Sequence, residues 1–206
     1  MDRVAETVAV TGIPRSGTTW LFRSLAGLEP GSTVPKGRHY ERLPFIKAHS
    51  LAPPDSFDDP RAEELAAHCK RRGKCLFLFG DPVESVISTR LRRWTAGHAV
   101  NCGYFDPLDT AAIYHEDCFN YERIFDSWMG REHPFAVLAL RYETAGHHTK
   151  AIESFLGRKI RWNPWKARRR SNRRKVSRRE LQAIESTYAS LACKVCRTSE
   201  ISTPGT

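Results

Sequence analysis

A short apolar, β-branched run, Thr7-Val8-Ala9-Val10-Thr11, leads directly into Gly12-Ile13-Pro14-Arg15-Ser16-Gly17, and a helical stretch follows from Thr18 to about Ala26. A strand of that composition is suited to burial on both faces, as in a parallel sheet, and parallel neighbours require crossover connections. The rest of the chain therefore has to alternate strand with helix, and it does. Pro44 to Lys47, Cys75 to Phe79 and Phe135 to Leu140 read as further strands. Asp59-Pro60 opens a helix that runs through Leu65 to Arg72 and stops at Gly73, and Pro82 to Trp94 forms the next. Asp109 caps a longer helix on which Tyr114, Cys118, Tyr121, Phe125 and Trp128 recur at spacings of three and four, until Gly130 ends it. Thr149 to Leu156 is a short helix closed by Gly157. Ser177 and Glu180 form a capping box for a final helix over about 177–195, whose apolar face is Leu181, Ile184, Tyr188, Leu191 and Val195. The pattern predicts an α/β fold, a three-layer sandwich around a mostly parallel central sheet.

With 206 residues, 40% of them hydrophobic, and no internal repeat, the chain reads as a single domain over 1–206 with one ordinary core. Its longest apolar runs fall far short of the roughly 20 residues of a spanning helix, so no membrane span is expected. Met1 to Glu6 contains three charged residues and gives no targeting signal, which reads as a cytoplasmic chain. The six cysteines are too scattered for a disulfide framework. Cys193 and Cys196 form a lone CxxC without the second pair or histidines that a zinc site needs, so no metal is expected. Thirty-three Lys and Arg against 23 Asp and Glu give a net charge of +10, which calls for a polyanionic partner.

The loop after the first strand has glycines at the spacing of a phosphate-binding P-loop. There, backbone N–H groups and a helix N-terminus converge on an anion, and hydroxyls add donors. The nucleotide-hydrolysing version carries Lys after the second glycine, where this chain has Thr18; its cation, Arg15, comes earlier. Pro14-Arg15-Ser16-Gly17-Thr18-Thr19-Trp20 closely resembles the 5′-phosphosulfate loop of the sulfotransferases that use 3′-phosphoadenosine 5′-phosphosulfate (PAPS) as donor. The resemblance implies a P-loop NTPase-like sandwich. It also implies that Arg15, Ser16, Gly17, Thr18 and Thr19 hold the phosphosulfate and that Trp20 stacks on adenine. Lys47-Ala48-His49 is similar to the family's Lys-Thr-His, with Ala48 in place of Thr, and implies His49 as general base with Lys47 stabilising transferred charge.

Gly80-Asp81-Pro82, with Ser88 eight residues on from Gly80, looks like the family's 3′-phosphate segment, but Gly80 stands where the family has Arg, removing one charge-assisted contact. Arg90, Arg92 and Arg93 are candidate replacements by their nearness in sequence. Leu140-Arg141-Tyr142-Glu143 is similar to a strand-end segment whose tyrosine, here Tyr142, approaches the adenine. Resemblance spans about residues 7–157. Residues 95–120, with His98, Tyr104, Phe105, Tyr114 and His115, are the expected source of the acceptor pocket.

From Arg161 to Arg179 the chain carries ten Lys or Arg and no acidic residue. A basic lid over the 3′-phosphate is one use for this segment, and a solvated basic loop is another. The expected function is sulfuryl transfer from PAPS, leaving adenosine 3′,5′-bisphosphate (PAP), to the hydroxyl of a small-molecule or carbohydrate acceptor. The surplus charge leaves room for an acidic acceptor or partner. Two alternatives stay open: a P-loop nucleotide-binding kinase-like protein, with Asp81 as magnesium ligand, and a basic nucleic-acid-binding protein, which no recognised motif supports. Oligomeric state is not readable from the sequence.

Overall fold

The structure is a computed structural model that describes residues 7–30, 45–55, 62–93, 95–104, 111–165 and 170–204. Its centre is a five-stranded sheet: β1 (Val8–Gly12), β2 (Phe45–Lys47), β3 (Lys74–Phe79), β4 (Val137–Arg141) and β5 (Ile201–Ser202), in the order β2-β1-β3-β4-β5. The first four strands are parallel, with Val10 opposite Lys47 and Leu76, and Phe77 opposite Ala139. The fifth runs antiparallel to β4 and, at two residues, is too short to leave a pattern in the sequence.

Alternation along the strands divides the core in two. Ala9, Cys75, Phe77, Phe79, Val137 and Ala139 point to one face, where they meet α2 (Ala62–Lys70), α3 (Pro82–Leu91), α5 (Tyr121–Met129), α7 (Arg178–Thr187) and α8 (Ala189–Arg197). Val8, Val10, Leu76, Leu78, Leu138 and Leu140 point to the other, covered by α1 (Thr18–Leu25) and α6 (Thr149–Leu156). The expected α/β sheet flanked by helices on both faces is therefore present. No helix among the described residues is long and apolar enough to cross a membrane.

Three helix boundaries differ from expectation. The stretch from Pro82 ends at Leu91, with Arg93 at φ 57, and a separate helix, α4 (Thr95–Asn101), follows. Asp109 lies outside the described residues. Downstream of it, only a 3-10 turn at Ala112–Tyr114 forms before α5 starts at Tyr121. Asn120 enters the left-handed region at φ 49, and the Asp117 carboxylate accepts the N–H of Glu122 at 2.9 Å, so the chain caps anew there. Tyr114 and Cys118 thus belong to the preceding turn, while Tyr121, Phe125 and Trp128 remain the buried stripe. The capping box of Ser177 and Glu180 is formed, but the last helix breaks at Tyr188 into α7 and α8. Asp59-Pro60 also falls outside the described residues.

This topology positions a site. From the central pair β1 and β3, the chain leaves to opposite faces, through α1 on one side and α3 on the other. A crevice opens at such a switch point outside the carboxyl ends of the strands, and the segments 12–20, 47–49 and 80–81, with Tyr142, all lie at a strand end on that edge.

Candidate functional site

A cleft of about 620 Å³ occupies that edge. Arg15, Gly17, Thr18, Thr19, Trp20 and Arg23 line it from the first loop and α1, Lys47 and His49 from the end of β2, and Tyr142 from the end of β4. Arg92 and His98 also line it, as does the segment Asn163 to Trp165. Four cations and two histidines face the cleft, and no described carboxylate does.

The loop is shaped by backbone constraints. A Cβ on Gly12 would lie 2.1 Å from the carbonyl oxygen of Leu78, so only glycine lets β1 run this close to β3 as it exits. Gly17, at φ 86, is the N-cap of α1, and no side chain caps that helix. Its first N–H groups are therefore directed towards the cleft, where they favour negative charge. Arg15 has a left-handed backbone at φ 70 and donates from Nε to Ser88 Oγ at 3.1 Å, which fixes the guanidinium. Ser88 thus orients Arg15 and does not itself line the cleft. Ser16 is fully buried, its Oγ 2.8 Å from Leu78 O and 2.5 Å from Ile13 O, so its hydroxyl ties the loop to β3.

The Lys47 and His49 side chains converge on this loop. Nδ1 of His49 lies 2.7 Å from Gly12 O, and Nε2 lies 3.4 Å from Lys47 Nζ. Burial above all, and then the Lys47 ammonium, holds the His49 pKa well below its ordinary value of 6.5. His98 presents its ring 6.3 Å from that of His49, and burial followed by the charges of Arg15 and Lys47 lowers it to about 4. Of the five residues expected to form an acceptor pocket, His98 alone reaches the cleft among those described. Tyr104 and Tyr114 donate to Glu116 and Glu180, His115 is exposed, and Phe105 lies outside the described residues.

Aromatic rings crowd the far side. Trp20 stacks on Trp162 at 5.5 Å and meets Trp165 edge-on at 4.5 Å, while its Nε1 donates to Asn163 O at 3.1 Å. Trp165 in turn contacts Tyr142, ring centres 4.7 Å apart. Trp20 and Tyr142 are therefore brought together, with Trp165 between them. Arg23 and Asn163 were missed in the sequence. Arg23 sits three residues beyond Trp20 on α1, a helical spacing that places it on the same face, whereas nothing around Asn163 signals its position.

The segment after β3 is held differently from the resemblance. A Cβ on Gly80 would approach the Glu143 carboxylate at 2.9 Å, and that carboxylate accepts the Asp81 N–H at 3.0 Å. Asp81 caps α3 by accepting from Glu84 N at 3.2 Å and pairs with Arg173 at 2.7 Å. Arg173 also bonds Glu84 at 3.1 Å and Glu185. Of the ten basic residues from 161 to 179, none that is described lines the cleft; Lys166, Arg168 and Arg169 lie outside the described residues. Among the three candidate replacements, Arg92 lines the cleft and Arg90 pairs with Glu180. Cys193 and Cys196 are exposed on α8.

Fold and cleft together define an α/β protein with a cationic crevice at the carboxyl edge of its sheet, lined by no carboxylate among the described residues. A comparison with known protein families finds no match to this chain, and no curated protein matches it.

Proposed function

We propose that this protein is a P-loop NTPase-like sulfotransferase, moving a sulfuryl group from PAPS to an acceptor hydroxyl. The observation that carries the reading is the meeting of Arg15, Lys47, His49 and the uncapped start of α1 in one cationic cleft. Such a set is complementary to a donor bearing several negative oxygens, and Trp20 and Tyr142 offer flat faces beside it.

In this scheme the S–O bond to the donor's phosphate breaks as a bond from the acceptor oxygen to sulfur forms. His49 takes the hydroxyl proton on Nε2, because Nδ1 is engaged with Gly12 O. Arg15, Lys47 and the loop N–H groups stabilise the charge that grows on the leaving phosphate, the term expected to dominate. The kinase-like alternative is weaker, because Asp81 is engaged by the α3 cap and Arg173.

Calorimetric titration with PAP tests the reading. Binding that Arg15→Ala weakens is expected, with His49→Ala abolishing turnover while leaving PAP affinity largely intact. No binding of PAP, or undiminished turnover in His49→Ala, overturns it.

A further inference from the structure

Arg92 and His98 reach the same cleft without a role in that scheme. Arg92 is the C-cap of α3, and Arg93, at φ 57, turns the chain into α4, which carries His98. Both therefore approach from the side opposite α1, with its Trp20. The His98 ring stands at 71° to that of His49, 6.3 Å away. A hydroxyl that meets Nε2 of His49 from this side lies beside His98, in the cleft that Arg92 also lines.

The chemistry of that wall is selective. Among the described residues four cations and no carboxylate line the cleft, a balance that favours an anionic acceptor over a cationic one. Arg92 carries a fixed charge in a planar fork, which matches the paired oxygens of a carboxylate or phosphate. His98, held neutral by burial and by Arg15 and Lys47, adds a polar ring without a competing positive charge.

We infer that Arg92 and His98 form an oxyanion subsite and that the acceptor is an acid, a hydroxyl compound whose anionic end is held at Arg92 with its hydroxyl turned towards His49. The position of the hydroxyl rests on the sulfuryl-transfer reading; the anion subsite rests on the cleft alone.

The test follows the histidine ring signals of the full-length chain by NMR, with and without saturating PAP, during titration with benzoate, phenyl phosphate and the neutral analogue benzamide. At least one anion is expected to shift the His98 signals with a Kd at least tenfold below that of benzamide, in both states. The tighter of the two identifies the oxyanion class. Arg92→Gln is expected to remove the gap, and because Arg92 is exposed the variant keeps the fold; Arg92→Lys, which keeps the charge and loses the fork, restores part of it. Equal binding of benzamide and both anions, or a gap that survives Arg92→Gln, overturns the inference. A failure of PAP to bind overturns the donor reading alone, since the comparison on the free chain still reports on Arg92.

Discussion

The imidazole of His49 holds Nδ1 2.7 Å from the carbonyl oxygen of Gly12. A carbonyl can only accept, so the neutral ring carries its proton on Nδ1 and presents the lone pair of Nε2 towards Lys47 and the cleft. Burial and Lys47 keep the pKa of this ring well below 6.5. The base form is therefore already populated at neutral pH and is lost only as pH falls through that lowered value. The acid limb of kcat/KM, which reports on the free enzyme, is expected well below pH 6.5. An acid limb centred at or above 6.5 counts against His49 as the base. The same linkage fixes the sign for binding: a polyanion raises the pKa of both His49 and His98, so PAP binding is expected to tighten as pH falls towards the lowered pKa values of the two rings. Calorimetry in two buffers of different ionisation enthalpy is expected to show proton uptake.

Ser88 meets the cleft through Arg15. Losing its hydroxyl removes the acceptor 3.1 Å from Arg15 Nε and loosens the placing of a guanidinium whose backbone sits at φ 70. A hydrogen bond of this kind contributes on the order of 1 kcal/mol, or about fivefold in affinity. Ser88→Ala is therefore expected to weaken PAP binding about fivefold, and Arg15→Ala by a larger factor. In the double variant the two effects should not add, because Ser88 has nothing left to orient. Additive losses would mean that Ser88 meets the ligand by itself.

Arg173 belongs to the fold and not to a lid. It binds Asp81, Glu84 and Glu185, and the Glu84 side chain is only 4% exposed. Removing the guanidinium leaves a buried carboxylate without its cation at the start of α3. The cost is expected at about 2–3 kcal/mol, below the range for a fully buried pair because Arg173 itself is partly exposed. Urea unfolding of Arg173→Ala checks this. PAP affinity measured under folding conditions is expected to be unchanged, and a large loss of affinity with unaltered stability would return Arg173 to the ligand.

These cases show what the sequence could reveal. The four parallel strands and their order of appearance were legible because burial on both faces leaves apolar runs, and the capping box at Ser177 was legible because it is local. Arg15, Lys47, His49 and Tyr142 were singled out by the resemblance to sulfotransferase motifs, and each sits at or just after a strand end, which a parallel sheet gathers at one edge. What sequence reasoning missed depends on pairing across long separations. Arg173 looks like one charge in a basic run until Asp81 and Glu84, about ninety residues earlier, are seen beside it. The long helix from Asp109 failed because its apolar spacing persists through Tyr114 and Cys118, although Asn120 and Asp117 restart the chain. Glu143 beside Gly80 had no local signal, yet it is what fills the space where the resemblance expects an arginine.

Trp165 gives the sharpest test of how a base enters. Its ring meets Trp20 at 4.5 Å and Tyr142 at 4.7 Å, and its Nε1 is buried with no hydrogen-bond partner among the described residues. A base that reaches both Trp20 and Tyr142 takes the place of this indole. Each ring contact is worth about 0.5–1.5 kcal/mol, so displacing Trp165 costs about 1–3 kcal/mol of binding energy. Trp165→Ala removes that cost, and PAP affinity is expected to rise at least about fivefold. Inorganic pyrophosphate, which has no base, should bind the variant and the parent chain equally. Weaker PAP binding beside unchanged pyrophosphate binding would instead make Trp165 part of the surface on which the base stacks.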